Sequence, residues 1–312
     1  MCEVVADYND QCGECPVWDE STVSLYWTDG LSNRFYLYDS RSGKSRVVNN
    51  RLEIKGFRLN ASGGFVVTNS VGIWLWNEGQ QATLVADQVD GEPCRMNDCV
   101  ADVHGRLLGG SVFYDPGDNY PLGKLICVET NGRIKIIDEG FHLSNGLGFS
   151  PNNELLYVTD SMARRIYVYN YDPDSGEAHD RRALVQVPSD EGIPDGLAVD
   201  SEGFLWSAQW YGSCVVRYDP DGAVERKIVI PAKQTSCVAF GGQDLGDLYI
   251  TSAGLSQPTP AMPTGYDHVS GNFGGALYRM RADVKGLIQA RARISLATRI
   301  GTQISGDSDV SA

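Results

Sequence analysis

Polar residues recur in one setting along this chain. Glu14, Asn97 with Asp98, Asn145, Asp195 and Ser236 each head a short apolar run, in Gly13-Glu14-Cys15-Pro16, Met96-Asn97-Asp98-Cys99, Ser144-Asn145-Gly146-Leu147, Pro194-Asp195-Gly196-Leu197 and Thr235-Ser236-Cys237-Val238. Carboxylate and amide oxygens dominate this set, and it needs no histidine or cysteine. Carboxylates gathered in one concave site repel one another unless something neutralises them. A divalent cation does so directly. Oxygen donors suit a hard one such as Ca²⁺, Mg²⁺ or Mn²⁺, and two carboxylates with open water positions also admit Zn²⁺. The competing reading is that Asn145-Gly146 and Asp195-Gly196 only shape the entry to a strand. Against it, the polar residue changes type from one stretch to the next while its place stays fixed.

These stretches must be positioned by a repeated element. With Gly56-Phe57-Arg58 there are six, and most run through a turn such as Asn60-Ala61-Ser62-Gly63 or Asp200-Ser201-Glu202-Gly203 into a second strand and then a third. Leu155-Leu156-Tyr157-Val158 followed by Arg165-Ile166-Tyr167-Val168-Tyr169 shows the pattern. The period is about 40 to 50 residues, the range of propeller blades. One such sheet cannot bury both faces alone, whereas sheets packed radially cover each other and leave only short edges. The expected fold is all-β, a six-bladed β-propeller, with first strands lining a central channel and their polar heads meeting at one end of it. A two-sheet sandwich or two small β domains is the alternative, but no Ser/Pro/Gly-rich linker interrupts the repeat. The propeller is expected over residues 1–297, with a loosely held tail over 298–312, rich in Ser, Gly and Asp. Alternatively, Arg291 to Ile300 adds an outer strand.

The chain has 312 residues, 42% of them hydrophobic, which is enough for a sizeable core. Its formal charge of −14 repels phosphate backbones and argues against nucleic acid as a partner. No apolar run is long enough to span a membrane, and the start lacks a basic-then-apolar leader, so a soluble cytoplasmic protein with no membrane partner is expected. No heptad or exposed apolar helix is evident, which leaves a monomer or weak homo-oligomer. The eight cysteines then read as thiols. A zinc site at Cys12, Cys15, Cys94 and Cys99 is the weaker reading, because no second CxxC exists and histidines number four. There is no HExxH, GxSxG elbow or Walker loop. Trp18, Trp27, Trp74, Trp76 and Trp206 fall in strand patterns and read as core. Trp210, in a loop after a strand, is a candidate pocket wall.

Gly13-Glu14-Cys15-Pro16-Val17-Trp18, Arg95-Met96-Asn97-Asp98, Ser144-Asn145-Gly146-Leu147, Thr159-Asp160-Ser161, Arg164-Arg165-Ile166-Tyr167, Pro194-Asp195-Gly196-Leu197-Ala198-Val199-Asp200 and Thr235-Ser236-Cys237 occur in order over roughly residues 10 to 285. Together they resemble the SMP-30/gluconolactonase/luciferin-regenerating-enzyme family of six-bladed propellers, and several motifs in the right sequence are far more specific than any one. The resemblance implies one divalent cation, calcium foremost, with Glu14, Asn145 and Asp195 as ligands and with Arg95 and Asn97 on the substrate side. It departs at Cys15 and Cys99, where glycine is usual, and both thiols are expected near the pocket. It also departs at Ser111 to Pro116, where some members carry a Glu. That contact is lost or replaced by Tyr114 or Asp115, which makes Tyr114 a second candidate wall.

The resemblance further implies hydrolysis of a small-molecule sugar lactone to the open acid. The residues offer a route: the cation polarises the carbonyl, water attacks, and Asp195 doubles as general base. Asp98 is expected to support the strand or to join the site. Alternatives are an esterase, organophosphate or non-sugar lactone hydrolase on the same propeller, or a non-catalytic calcium-binding propeller.

Overall fold

The computed structural model describes residues 2–111, 122–256 and 258–296. Six four-stranded antiparallel sheets form a six-bladed β-propeller, with one small extra hairpin at Gln88–Val89 and Glu92–Pro93. The inner strands are Gly13–Asp19, Gly56–Leu59, Met96–Ala101, Ser144–Phe149, Ile193–Val199 and Thr235–Gly241, and each touches the next in cyclic order. Among the described residues no helix is long and apolar enough to cross a membrane.

Burial falls from the axis outward, which explains the sequence pattern of each blade. In the fourth, the inner strand Ser144–Phe149 is wholly buried, whereas the outermost, Glu177–Gln186, is mostly exposed and polar. Apolar side chains form six clusters among the described residues, one at each interface between neighbouring blades. Leu108, Leu125 and Cys127 of the third blade, for example, pack on Leu147, Leu156 and Tyr169 of the fourth. No blade has a core of its own, so the ring is the folding unit.

Ring closure uses a strand that the repeat does not reveal. Glu3–Asp7 pairs with Ala276–Arg281 and supplies the outer strand of the sixth blade. Asp10 then ties this closure to the first blade. Its backbone bonds to Gly275 and Gly254, and its carboxylate accepts from Tyr36 Oη at 2.6 Å and Trp27 Nε1 at 3.0 Å.

The end of the described chain departs from expectation. The part of Arg291–Ile300 that is described is not an outer strand. From Gly286 to Leu296 the chain crosses beneath the channel, bonding to Leu245 and Asp200 on one side and to Leu59, Gly105 and Thr130 on the other. Asn60 clamps this strap with its amide, which donates to the Ile294 carbonyl at 3.0 Å and accepts from the Ile294 N–H at 3.2 Å. The proposed boundary at 297 and the tail 298–312 lie outside the described residues.

Burial raises the Asp10 carboxyl to about 6 from 3.8, against the hydrogen bonds from Tyr36 and Trp27. A raised folded value means that the stability due to neutral Asp10 is present below the unfolded value and lost as pH rises through the folded one. Urea denaturation should therefore find Asp10→Asn equal to wild type near pH 4 but more stable by about 2–3 kcal/mol near pH 7. Equal stability at both would place the proton elsewhere.

Candidate functional site

Five of the six inner strands slip register at the same place: Glu14/Val17, Met96/Cys99, Asn145/Leu147, Pro194/Leu197 and Thr235/Val238. These are β-bulges, in which an extra residue leaves the ladder and its side chain is re-aimed. Asn97, Asp98, Asp195 and Ser236 lie within these bulges, whereas Glu14 and Asn145 keep their partners Thr28 and Thr159 and immediately precede them, in line with the expected fixed place. Gly146 and Gly196 are not turn glycines, since neither has a positive φ. A Cβ on Gly146 would strike the backbone of Asp195 and Leu197, and one on Gly196 would strike Cys237. Close approach of neighbouring inner strands at the axis is what excludes a side chain there.

The inner strands bring Glu14, Asn97, Asn145 and Asp195 together around one cavity of about 210 Å³, with Trp210 and Lys55 among its walls. Asn145 Nδ2 donates to Asp195 Oδ1 and, at 3.1 Å, to Ser161 Oγ, while its Oδ1 accepts from Asn97 Nδ2 at 3.0 Å. Asn97 also donates to the Ser144 carbonyl at 3.1 Å. Its N–H groups therefore hold Asn145 in place. Trp210 Nε1 is buried and has no hydrogen-bond partner among the described residues.

Glu14 and Asp195 are the electrostatic centre. Asp195 is 4% exposed. Burial, then the charge of Asp98, pushes its carboxyl well above the usual carboxylate range, against the hydrogen bond from Asn145. Burial pushes Glu14 up as well, followed by the charges of Asp195 and Asp98. Neither forms an ion pair with Lys, Arg or His among the described residues. Among those residues no group of three His, Cys, Asp or Glu side chains is set to hold a metal. The set is two carboxylates and an amide. Its chemistry fits a hard divalent cation: uncompensated negative charge is concentrated there, and Asn145 Oδ1 keeps a second lone pair beyond the one given to Asn97.

The remaining sequence candidates are placed differently. Arg95 is exposed and outside the described cavity lining. Tyr114 lies outside the described residues, as does Asp115. Asp98 points away from this cavity into a second space below it, and Oδ1 accepts from the Cys99 N–H at 2.7 Å. Of the thiols, Cys12 lines the site. Cys15 lines the lower space, and Cys99 lies in the core between the second and third blades. Cys15 has φ 49°, the left-handed backbone that glycine adopts freely. Among the described residues all cysteines are free.

Sequence reasoning missed the residues that aim the bulges. Asp29 and Asp160 end the second strands of the first and fourth blades. Asp29 accepts from the N–H groups of Gln11 and Cys12, at 2.9 and 3.1 Å, and Asp160 from those of His142 and Leu143, at 3.0 and 3.2 Å. They thereby pin the loops that deliver Glu14 and Asn145. Thr68 Oγ1 does a similar task across blades, donating to the Asn97 carbonyl at 2.6 Å. A signal was present in the repeated Trp27-Thr28-Asp29, Val67-Thr68-Asn69 and Val158-Thr159-Asp160.

The family described as SMP-30/gluconolactonase/LRE-like region matches residues 12–254. A pentonolactonase of Haloferax volcanii is 34% identical over 94% of this chain and 98% of its own. A 6-deoxy-6-sulfogluconolactonase of Pseudomonas putida is 38% identical over 77% of this chain and 83% of its own. The solved luciferin-regenerating enzyme superposes with a TM-score of 0.83 at 27% identity, covering 94% of this chain and 99% of its own.

Both site carboxyls bind protons more tightly when folded, so the stability of their neutral forms is lost as pH rises through the raised values. In chelator near pH 7, Asp195→Asn and Glu14→Gln should each raise Tm by about 2 °C or more. Scanning fluorimetry tests this, and an unchanged or lowered Tm in both variants would contradict the buried-charge reading.

Proposed function

The chain belongs to the SMP-30/gluconolactonase/LRE-like family, and from that premise we propose that it hydrolyses a sugar lactone to the sugar acid, with Asp195 as general base beside a divalent cation. The observation that carries this reading is the convergence of Glu14, Asn145 and Asp195 on one cavity. The two lactonases to which the chain is similar support the substrate class.

Glu14, Asn145 and Asp195 would hold the cation, calcium foremost, with Mg²⁺, Mn²⁺ or Zn²⁺ as alternatives. Bound there, it would supply Lewis-acid polarisation of the lactone carbonyl. Asp195 takes a proton from the attacking water at a carboxylate oxygen. Beyond the hydrogen bond from Asn145, no side chain among the described residues engages its carboxylate, which leaves an oxygen to accept that proton. Asn145 orients Asp195 by donating to Oδ1, and Asn97 fixes Asn145 in turn. Arg95, exposed two residues before Asn97 and beyond the described lining, would engage substrate hydroxyls.

One observation favours a second reading. Leu31, Leu143, Met162 and Ile193 join Trp210 on the cavity wall. Gln209 is buried on Ser207 and contributes nothing to that lining. Apolar walls suit an aryl ester or an alkyl lactone.

A pH-stat panel of pentono- and hexonolactones, phenyl acetate and an alkyl γ-lactone, run with and without chelator, tests both. Aldonolactones should turn over, chelator should stop them, and Asp195→Asn should lower kcat by about 10²–10⁴. Arg95→Ala should raise KM or lower kcat. Wild-type rates in Asp195→Asn would reject the base, and turnover confined to the ester and alkyl lactone would select the second reading.

A further inference from the structure

The channel has a second chamber. Below the carboxylate site, Cys15, Arg58, Asp98 and Cys237 face a separate cavity of about 230 Å³. Its walls are mixed: the far halves of the inner strands supply apolar residues, with Leu147, Leu197, Val199 and Val238 among them, and Ser150, Asn153 and Gln289 add polar groups. The strap residues Leu287–Ala290 cross its outer end, and Gln289 Oε1 on that strap is buried without a partner.

Arg58 is the anomaly in this chamber. It is 7% exposed. The other buried arginines are fully engaged. Arg106 pairs with Asp102 at 2.8 Å and Arg217 with Asp200 at 2.7 Å, while Arg164 is ringed by carbonyl oxygens. Arg58 instead uses one nitrogen only. Its Nη1 donates to the Phe57 carbonyl at 2.6 Å and to Cys15 Sγ at 3.2 Å. Among the described residues, its Nε and Nη2 have no hydrogen-bond acceptor and no carboxylate lies at ion-pair distance. A buried guanidinium with an open edge is costly unless an anion meets it. The Nε–Nη2 edge is the side that receives a carboxylate through two parallel hydrogen bonds.

We propose that this chamber binds a small monocarboxylate with an apolar body, its carboxylate on the Nε–Nη2 edge of Arg58 and its hydrocarbon between Leu147, Leu197, Val199 and Val238. Asp98 lines the same chamber and its charge already acts on Arg58, so the guanidinium has room for at most one further negative charge, which disfavours dianions such as phosphate monoesters. Leu147, Leu197, Val199 and Val238 suit a hydrocarbon body better than a polyhydroxylated one, although Ser150, Asn153 and Gln289 also line the chamber. The chamber contains none of Glu14, Asn145 or Asp195, and the proposal stands apart from the lactonase reading.

Calorimetric titration of the full chain with hexanoate, and with hexanol as the uncharged control, tests it. Hexanoate should bind wild type and Asp195→Asn equally, and hexanol and Arg58→Met should each weaken binding about tenfold or more. Arg58→Lys, which keeps the charge but loses the fork, should fall between. Should Arg58→Met fail to fold, the Nε resonance of Arg58 in ¹⁵N-arginine-labelled wild type must shift with hexanoate and not with hexanol. Equal binding of hexanol, full binding by Arg58→Met, binding lost in Asp195→Asn, or an unmoved Arg58 resonance would overturn it.

Discussion

The burial of like charges at the axis is the constraint on which this structure turns. Glu14 and Asp195, with Asp98 just below, stand where water is scarce and no basic side chain pairs with them directly. Each unit by which burial raises such a carboxyl is about 1.4 kcal/mol spent on keeping it ionised. A fold would discard such residues unless their reactivity or their affinity for a cation were useful. The rest of the ring can be understood as the scaffold that holds them together against this repulsion.

Three devices supply that rigidity. Bulges at or immediately after the polar heads interrupt the ladders of the inner strands at the mouth of the channel. Asp29, Asp160 and Thr68 fix the loops and carbonyls around them, so that the bulges have one conformation. Glycines at 146 and 196 then let adjacent inner strands approach closely enough for Asn145 to reach Asp195. The interfaces between blades supply the stabilising area, one apolar cluster for each, and Glu3–Asp7 closes the ring so that none is left open.

The channel is polarised along its length. Acidic and amide groups gather at one mouth, a thiol and a guanidinium meet in the middle, and the far chamber under the strap is lined mainly by apolar residues. Cys15 marks the change. It holds a left-handed backbone at a cost of about 1–2 kcal/mol for a residue with a Cβ. In return its thiol is buried against Arg58 and the Phe57 carbonyl.

The six blades, the all-β class and the polar heads at 14, 97, 145, 195 and 236 were legible in the chain itself. Strand alternation, turn residues and a fixed period are local properties, and a repeat states them six times. What only the tertiary structure decided is where those side chains meet. Arg95, adjacent in sequence to the Asn97 motif, is left at the surface, while Asp98, next to Asn97, faces the opposite chamber. The N-terminal closing strand and the strap under the channel were equally hidden, since neither belongs to the repeat. The physical reason is that a bulge changes direction by a single residue. Which neighbour enters the site depends on contacts between blades far apart in sequence, and no local pattern records them.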